Sequence, residues 1–502
     1  MSSADSSNFL TAFSGGNRQL PLPATLPIVI DGKSTTLTAH AVLRLLPRKR
    51  VVLKGEIENQ IVAIKLFAKS LSSARNITRE MAGYAAVSTA RVTSPKLIGR
   101  FSSACDKFEG IIYEFIEDAT ELGKCWPQFN DDERKYWFRE VMSASLLLHG
   151  VGAYQEDIHL GNFLLKGSRL FLLDVGSIVI HVAPLSQKKC LVNLGQLIAQ
   201  LDVREHVLAE PALESYFSQS GWIDSLSLRN QLHKAIRHAW RKRLRDYLRK
   251  ANRICSMTFY EQTFKRLIAH RRGWEGADLQ RLLSDPDLFM ESGQLLKAGN
   301  TATVVKAEIN GRPVVIKRYN IKNWRHAISR SVRQTRAQHS WLYAHMLELI
   351  GIDSLIPIAL LEYRFGPLRG KAYFICEWID APDLLSLGAN YALSPKQAES
   401  FDALLLQMQK CRISHGDFKA NNLLMNDETI ALIDLDAMQR HSSSRNFEKA
   451  FQRDIKRLLR NWPTDSAIHA EVKALIKYSL EAEVTTKLNA VSKTSLQIFE
   501  SS

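Results

Sequence analysis

The feature that most constrains this 502-residue chain is an internal duplication. VAIKLF at 62–67 parallels VVIKRY at 314–319, and IIYEFIED at 111–118 parallels AYFICEWID at 372–380. Further on, YQEDIHLGNFLL at 154–165 parallels SHGDFKANNLL at 414–424, and LFLLDVG at 170–176 parallels IALIDLD at 430–436. The copies are offset by 252 residues at Lys65 and Lys317, and by 260 at both later aspartates. Asp157 lies 17 residues before Asp174, and Asp417 lies 17 before Asp434. Four matches in the same order argue for two copies of one domain type. Length agrees, because a single core rarely grows past about 250–300 residues.

Each copy reads as a small sheet-rich lobe followed by a larger helical lobe, an α+β arrangement with a cleft between the lobes. In the first copy LPIVIDGKSTTLTAH reads as a hairpin with Asp31-Gly32 as its turn. Gly32-Lys33-Ser34 is therefore not the end of a phosphate-binding loop, which would need a glycine where Pro27 stands. Alternating apolar residues lead to Lys65, a helical stretch follows from about Ala74 to Val87, and a further strand ends near Glu114. The second copy has a hairpin turn at Asn310-Gly311 and a long helix over roughly Arg325 to Ile350. The expected division is an N-terminal tail over 1–20, a first domain over 21–230, a basic helical connector over 231–275 and a second domain over 276–502.

Lys+Arg total 67 against 51 Asp+Glu, a net charge of +16, which suits a polyanionic partner. Residues 236–253 concentrate that excess, with eight Lys/Arg against one Asp. Ile236, Trp240, Leu244 and Leu248 recur every four residues there, so a packed apolar stripe and a cationic, lipid-facing surface are both compatible with one helix. The six cysteines form no CxxC pair and none lies in a His cluster, so neither a zinc site nor a disulfide framework is indicated, which fits a reducing compartment. No secretory leader and no membrane span are expected. Nucleic-acid binding has only the net charge in its favour, with no zinc-finger or RNP-like pattern.

Phosphoryl transfer from ATP needs a lysine on the phosphates, oxygen donors for Mg²⁺ and a base aimed at the acceptor hydroxyl. In the second copy Lys317 ends a strand, and Gly299 sits where a 299–304 loop would fold over phosphate. Asp417 is the candidate base, Lys419 follows two residues on, and Asn422 lies five after the aspartate. Asn422 and Asp434 are the candidate metal ligands, with Asp436 beside them. This is the D-x-x-x-x-N spacing of a kinase catalytic loop. Adenine would be received by backbone groups near Glu377-Trp378. The matching first-copy set is Lys65, with Glu80 as its helix partner, Asp157 as base, Asn162 and Asp174 for metal, and Glu114 at the adenine segment.

HGDFKANNLL followed by IALIDLDAM, with RDIKRLLRNW at 453–462, resembles the bacterial lipopolysaccharide core kinases. This Kdo/heptose kinase group is distantly related to protein kinases. The resemblance covers about residues 250–465. DIHLGN at 157–162 also resembles the catalytic loop of atypical kinases linked to ubiquinone synthesis. The resemblance implies two tandem kinase-like domains and an ATP- and Mg²⁺-dependent enzyme phosphorylating a heptose or Kdo hydroxyl of the inner core. It also implies an anionic glycolipid substrate, a place on the cytoplasmic face of a Gram-negative inner membrane, and partner enzymes of core assembly.

Both copies depart from the pattern. The first has LLPRKRVVLKGEIENQ before Lys65, without a glycine at the phosphate loop, and Gln155 where the second has His415. The second has Ser340-Trp341 where a helix glutamate is expected, leaving Lys317 without an evident ion-pair partner. Two active copies, one active copy beside a regulatory one, and one copy given to substrate binding all stay open, with the second the surer catalyst. A non-catalytic scaffold and a protein kinase are the rivals, although neither copy carries an A-P-E signature.

Overall fold

A computed structural model describes residues 3–299, 301–320, 334–426 and 428–479, with the side chains of 3–6, 203 and 204 left out. The chain is α+β and divides into two compact units. One comprises Met1–Leu201 with Glu205–Ala239, and the other Asp202–Arg204 with Trp240–Ser502.

In the first unit β1 (Ala24–Ile30), β2 (Lys33–Leu46), β3 (Arg50–Ile57), β4 (Gln60–Ala68), β5 (Leu97–Ser103) and β6 (Phe108–Glu114) close into a barrel, in the order β1-β2-β3-β4-β6-β5. Ile30 pairs with Lys33 across Asp31-Gly32, whose φ values of 47° and 81° are those of a type I′ turn. Leu26, Leu37, Leu53, Ile64 and Ile112 fill the interior. The segment expected as a tail, 1–20, instead contains helix α1 (Ser3–Gly15), whose Phe9 and Phe13 are buried with the barrel core. Two aromatics four residues apart in a Ser-rich stretch were too sparse a stripe to read as a packed helix.

Side chains alternate along β4, so Ile64 and Leu66 point into the barrel while Ala63, Lys65 and Phe67 face the second core cluster. On that face lies α2 (Leu71–Thr89), started by a Ser70/Ser73 capping box. Its buried stripe runs Ile77, Glu80, Gly83, Val87, with a carboxylate in the middle. Helix α3 (Asp131–Gly150) follows, capped by Asn130 and Glu133. Beyond it a strand at Ala153–Gln155 pairs with Ile178–Ile180, and a hairpin joins Phe163–Lys166 to Arg169–Leu172. These short ladders fix the loop carrying Asp157 and the turn carrying Asp174. Helix α4 (Gln187–Ile198) packs behind them.

Helix α5 (Leu226–Ala251) runs across the unit boundary. Ile236 packs on the first unit's core, whereas Leu244 is 2% exposed and buried with Trp240 and Leu248 in the second unit's core. Arg237, Arg241, Lys242, Arg245, Arg249 and Lys250 lie on its exposed side.

The second unit is built on a seven-stranded sheet. Its strands are β7 (Thr258–Gln262), β8 (Arg266–Arg271), β9 (Gln294–Ala298), β10 (Ala302–Ile309), β11 (Arg312–Tyr319), β12 (Pro357–Phe365) and β13 (Leu368–Glu377), in the order β7-β8-β12-β13-β11-β10-β9. Residues 258–271, expected within the connector, are thus two strands of this sheet. Leu267 to His270 are all buried, so β8 lacks the polar/apolar alternation that would mark it. Ile309 pairs with Arg312 across Asn310-Gly311, again with both φ positive. Of the helix expected over 325–350, α6 (Arg336–Ile350) is described; 325–333 lie outside the described residues, as does Asn300 in the 299–304 loop. Helices α7 (Pro395–Cys411) and α8 (Ser444–Leu459) flank the Asp417 and Asp434 loops. No helix among the described residues is long and apolar enough to cross a membrane.

Candidate active site

Each unit brings its β-strand lysine onto its late aspartate. In the first, Lys65 Nζ lies 2.6 Å from Glu80 Oε1 and 2.8 Å from Asp174 Oδ1. Glu80 is almost fully buried and also accepts from the Tyr113 hydroxyl at 2.9 Å. Burial would raise the Asp174 carboxyl pKa, but the Lys65 ammonium outweighs it and holds the group below its ordinary value. Asp174 has a left-handed backbone, φ 53°, which turns its carboxylate back toward the sheet. Arg50 approaches the same carboxylate at 4.0 Å. The β2–β3 turn that takes the place of a glycine loop holds Arg48 at φ 63°, donating to Gly15 O at 3.1 Å.

The second unit repeats half of this. Lys317 Nζ is 2.6 Å from Asp434 Oδ1, and Asp434 again has a left-handed backbone, φ 58°. Its other partner is Asp436, at 2.9 Å. The expectation that Lys317 lacks an ion-pair partner is therefore corrected. Asp436 in turn accepts from Tyr319 Oη at 2.6 Å and from Ser340 Oγ at 2.8 Å. Burial works against the Lys317 ammonium, and Asp436 and Asp434 overcome it, raising its pKa above the ordinary lysine value. The Tyr319 hydroxyl, buried and facing Asp436, is pushed well above its usual range.

The loops carrying the candidate bases are braced alike. Asn162 Nδ2 donates to Asp157 O and Asn422 Nδ2 to Asp417 O, both at 2.8 Å, and both asparagines are buried. Committing the amide N–H to the loop leaves the amide oxygen as the group available to a cation. Asp157 is exposed, and Asp417 is half-buried between Lys419 Nζ at 3.0 Å and Arg457 Nη1 at 3.2 Å. Arg457 also donates to Gly416 O. Gly416 has φ 79° and would drive a β-carbon into Ala437 O, so glycine is required there. Its amide and that of His415 donate to the Asp454 carboxylate at 3.1 and 2.7 Å. Asp454 is 2% exposed. Burial depresses the His415 pKa and keeps the ring neutral.

Gly299 donates its N–H to Ala302 O at 3.1 Å, tightening the β9–β10 turn. Lys297 pairs with Val304, and Val304 with Lys317, so the turn belongs to the strands beside the lysine. At the adenine segments, Glu377 N–H is bonded to Ile356 O, Trp378 N–H to Pro313 O and Glu114 N–H to Lys96 O. Those three N–H donors are committed to the fold, so adenine received there would have to use other backbone groups. The Glu377 carboxylate takes Arg312 at 3.0 Å.

Sequence reading missed Ser340, Tyr319, Asp454 and Arg457 as parts of the site. Asp454 and Arg457 were signalled by an acidic and a basic residue within RDIKRLLRNW, and Ser340 by standing where a helix glutamate is expected.

Chemically, a lysine clamped between carboxylates can present its ammonium to a phosphate oxygen. An amide oxygen and a carboxylate are hard donors of the kind Mg²⁺ takes. Among the described residues no group of three or more His, Cys, Asp or Glu is placed to hold a metal. The donors fit a nucleotide-bound cation. Residues 290–478 match the model of the lipopolysaccharide kinase (Kdo/WaaP) family. No curated protein matches the chain.

Proposed function

Because residues 290–478 fall in the lipopolysaccharide kinase (Kdo/WaaP) family, we propose that the second unit transfers the γ-phosphoryl group of ATP to a heptose or Kdo hydroxyl of the lipopolysaccharide inner core. The observation that carries this reading is the Lys317–Asp434 pair at 2.6 Å, within the matched segment that also holds the braced Asp417–Asn422 loop.

In this mechanism Lys317 holds ATP phosphate oxygens beneath the Gly299 turn. Asn422 and Asp434 would bind Mg²⁺, which supplies neutralisation of charge on the phosphates. Asp417 orients the sugar hydroxyl and accepts its proton as the new O–P bond forms and the bond from Pγ to the β,γ-bridging oxygen breaks, releasing ADP. Lys419, salt-bridged to Asp417 at 3.0 Å, stabilises the transferred group. The substrate is an anionic glycolipid, and the exposed Arg/Lys side of α5 would meet it or the anionic inner-membrane leaflet.

The first unit is read as a second kinase-like domain, so that the chain is a tandem of bilobal domains. Lys65–Glu80 at 2.6 Å is the observation favouring nucleotide binding there. The decisive experiment is phosphate transfer from labelled ATP with Mg²⁺ to core lipopolysaccharide from a strain lacking this gene. Asp417→Asn should lower transfer by about 10²-fold or more. If Asp157→Asn lowers label at a distinct sugar position, both units are kinases. No transfer by the wild type together with no ATP binding would establish a scaffold instead.

A further inference from the structure

The two units solve one electrostatic problem from opposite chain positions. In each, the strand lysine has a second buried carboxylate besides the late aspartate. In the first unit it is Glu80 on α2, and in the second Asp436 beside the late aspartate. Ser340 on α6 lies 260 residues after Glu80, the same offset that relates Asp174 to Asp434 and Gly176 to Asp436. Where the helix supplies the carboxylate, the turn supplies glycine, and where the turn supplies it, the helix supplies serine.

The exchange is sterically reciprocal. A β-carbon on Gly176 would collide with the Glu80 carboxylate, so an aspartate there would have to shift the glutamate from its place beside Lys65. In the second unit the Ser340 hydroxyl, 2.8 Å from Asp436 Oδ1, is short enough to leave that space to the aspartate and then bonds to it. A tyrosine hydroxyl donates to the second carboxylate in both units, Tyr113 to Glu80 at 2.9 Å and Tyr319 to Asp436 at 2.6 Å. The two tyrosines come from different strands, β6 and β11, so this support was assembled separately in each unit.

We infer that Asp436 is the positioning carboxylate of the second unit, replacing the helix glutamate in aiming Lys317 at the nucleotide phosphates. Clamp and metal-side aspartate then sit two residues apart on one turn, and α6 contributes a hydroxyl to the clamp but no charge. Displacement of that helix would not by itself break the Lys317 ion pairs, whereas displacement of α2 removes Glu80 from Lys65. Control of lysine placement by helix movement is therefore available to the first unit and not to the second.

This inference rests on the second unit using ATP, and its test separates the two ideas. Full-length protein is treated with an acyl-phosphate ATP probe, and Lys317 acylation, competed by Mg-ATP, is read by peptide mass spectrometry. Core phosphorylation is assayed in parallel. Asp436→Gly should lower Lys317 labelling by about tenfold or more, and Ser340→Glu added to it should restore most of the signal. Thermal melting of both variants identifies a simple folding failure, and Asp436→Asn, which keeps shape and removes charge, then serves in place of the glycine variant. Labelling unchanged in Asp436→Gly, or a folded double variant that stays unlabelled, overturns the inference. Wild type that labels at Lys317 and shows the loss and rescue, yet transfers nothing to core sugars, sinks the kinase reading and upholds the role of Asp436. Absence of competed labelling in wild type sinks both.

Discussion

At position 415 a buried imidazole donates from Nε2 to Ile433 O at 2.9 Å and accepts the Asp417 N–H at Nδ1. In the first unit Gln155 donates from its amide to Leu173 O at 2.8 Å, the carbonyl 260 residues before Ile433. Read as a string, glutamine for histidine is a lost residue. In three dimensions both tether the base-bearing loop to the strand before the late aspartate. The loops differ in what lies behind them: Asp454 receives two backbone N–H groups in the second unit, while Asn193 donates to Gln155 O in the first. At this scale His415→Gln should keep stability within about 1 kcal/mol, because the carbonyl stays satisfied. His415→Ala should lose roughly 1–3 kcal/mol by leaving Ile433 O without its buried donor. Denaturant unfolding followed by tryptophan fluorescence measures both.

Among the elements, those with a clean period were legible. β4 announced itself by alternation, the two hairpin turns by Asp-Gly and Asn-Gly, and α2 as a helical stretch from about Ala74 to Val87. α1 and β8 were not, one because Phe9 and Phe13, with Leu10 beside them, make too sparse a stripe and the other because burial on both faces erases alternation. Helix α5 shows how one pattern supports two demands. Its stripe is packed and its basic face is exposed. Leu244→Ala should therefore destabilise the second unit by about 2–5 kcal/mol, as large-to-small changes in a packed core do. Combined Arg241→Glu, Lys242→Glu and Arg245→Glu should instead leave the melting temperature nearly unchanged and abolish sedimentation with vesicles containing anionic lipid. Equal vesicle binding by that triple variant would remove α5 from the membrane proposal.

For the whole molecule, each unit has a lysine joined to two carboxylates, and the kinase family model matches residues 290–478. Two sites should then take nucleotide. The acyl-phosphate probe is expected to label Lys65 as well as Lys317, with Asp174→Asn lowering the first signal and Asp434→Asn the second. Labelling confined to Lys317 would make the first unit a domain without nucleotide. The sequence by itself determined the repeated motif spacings, the order of strand and loop motifs and the choice of candidate residues, because these rest on local period and on spacings of a few residues that comparison of the two halves exposes. Tertiary structure alone decided how Lys317 is held. Lys317 and Asp436 are far apart in the chain and meet only when β11 packs beside the Asp434 turn, with Ser340 yielding the space. An ion pair depends on where charges converge, and a missing glutamate on a helix says nothing about an aspartate arriving from elsewhere.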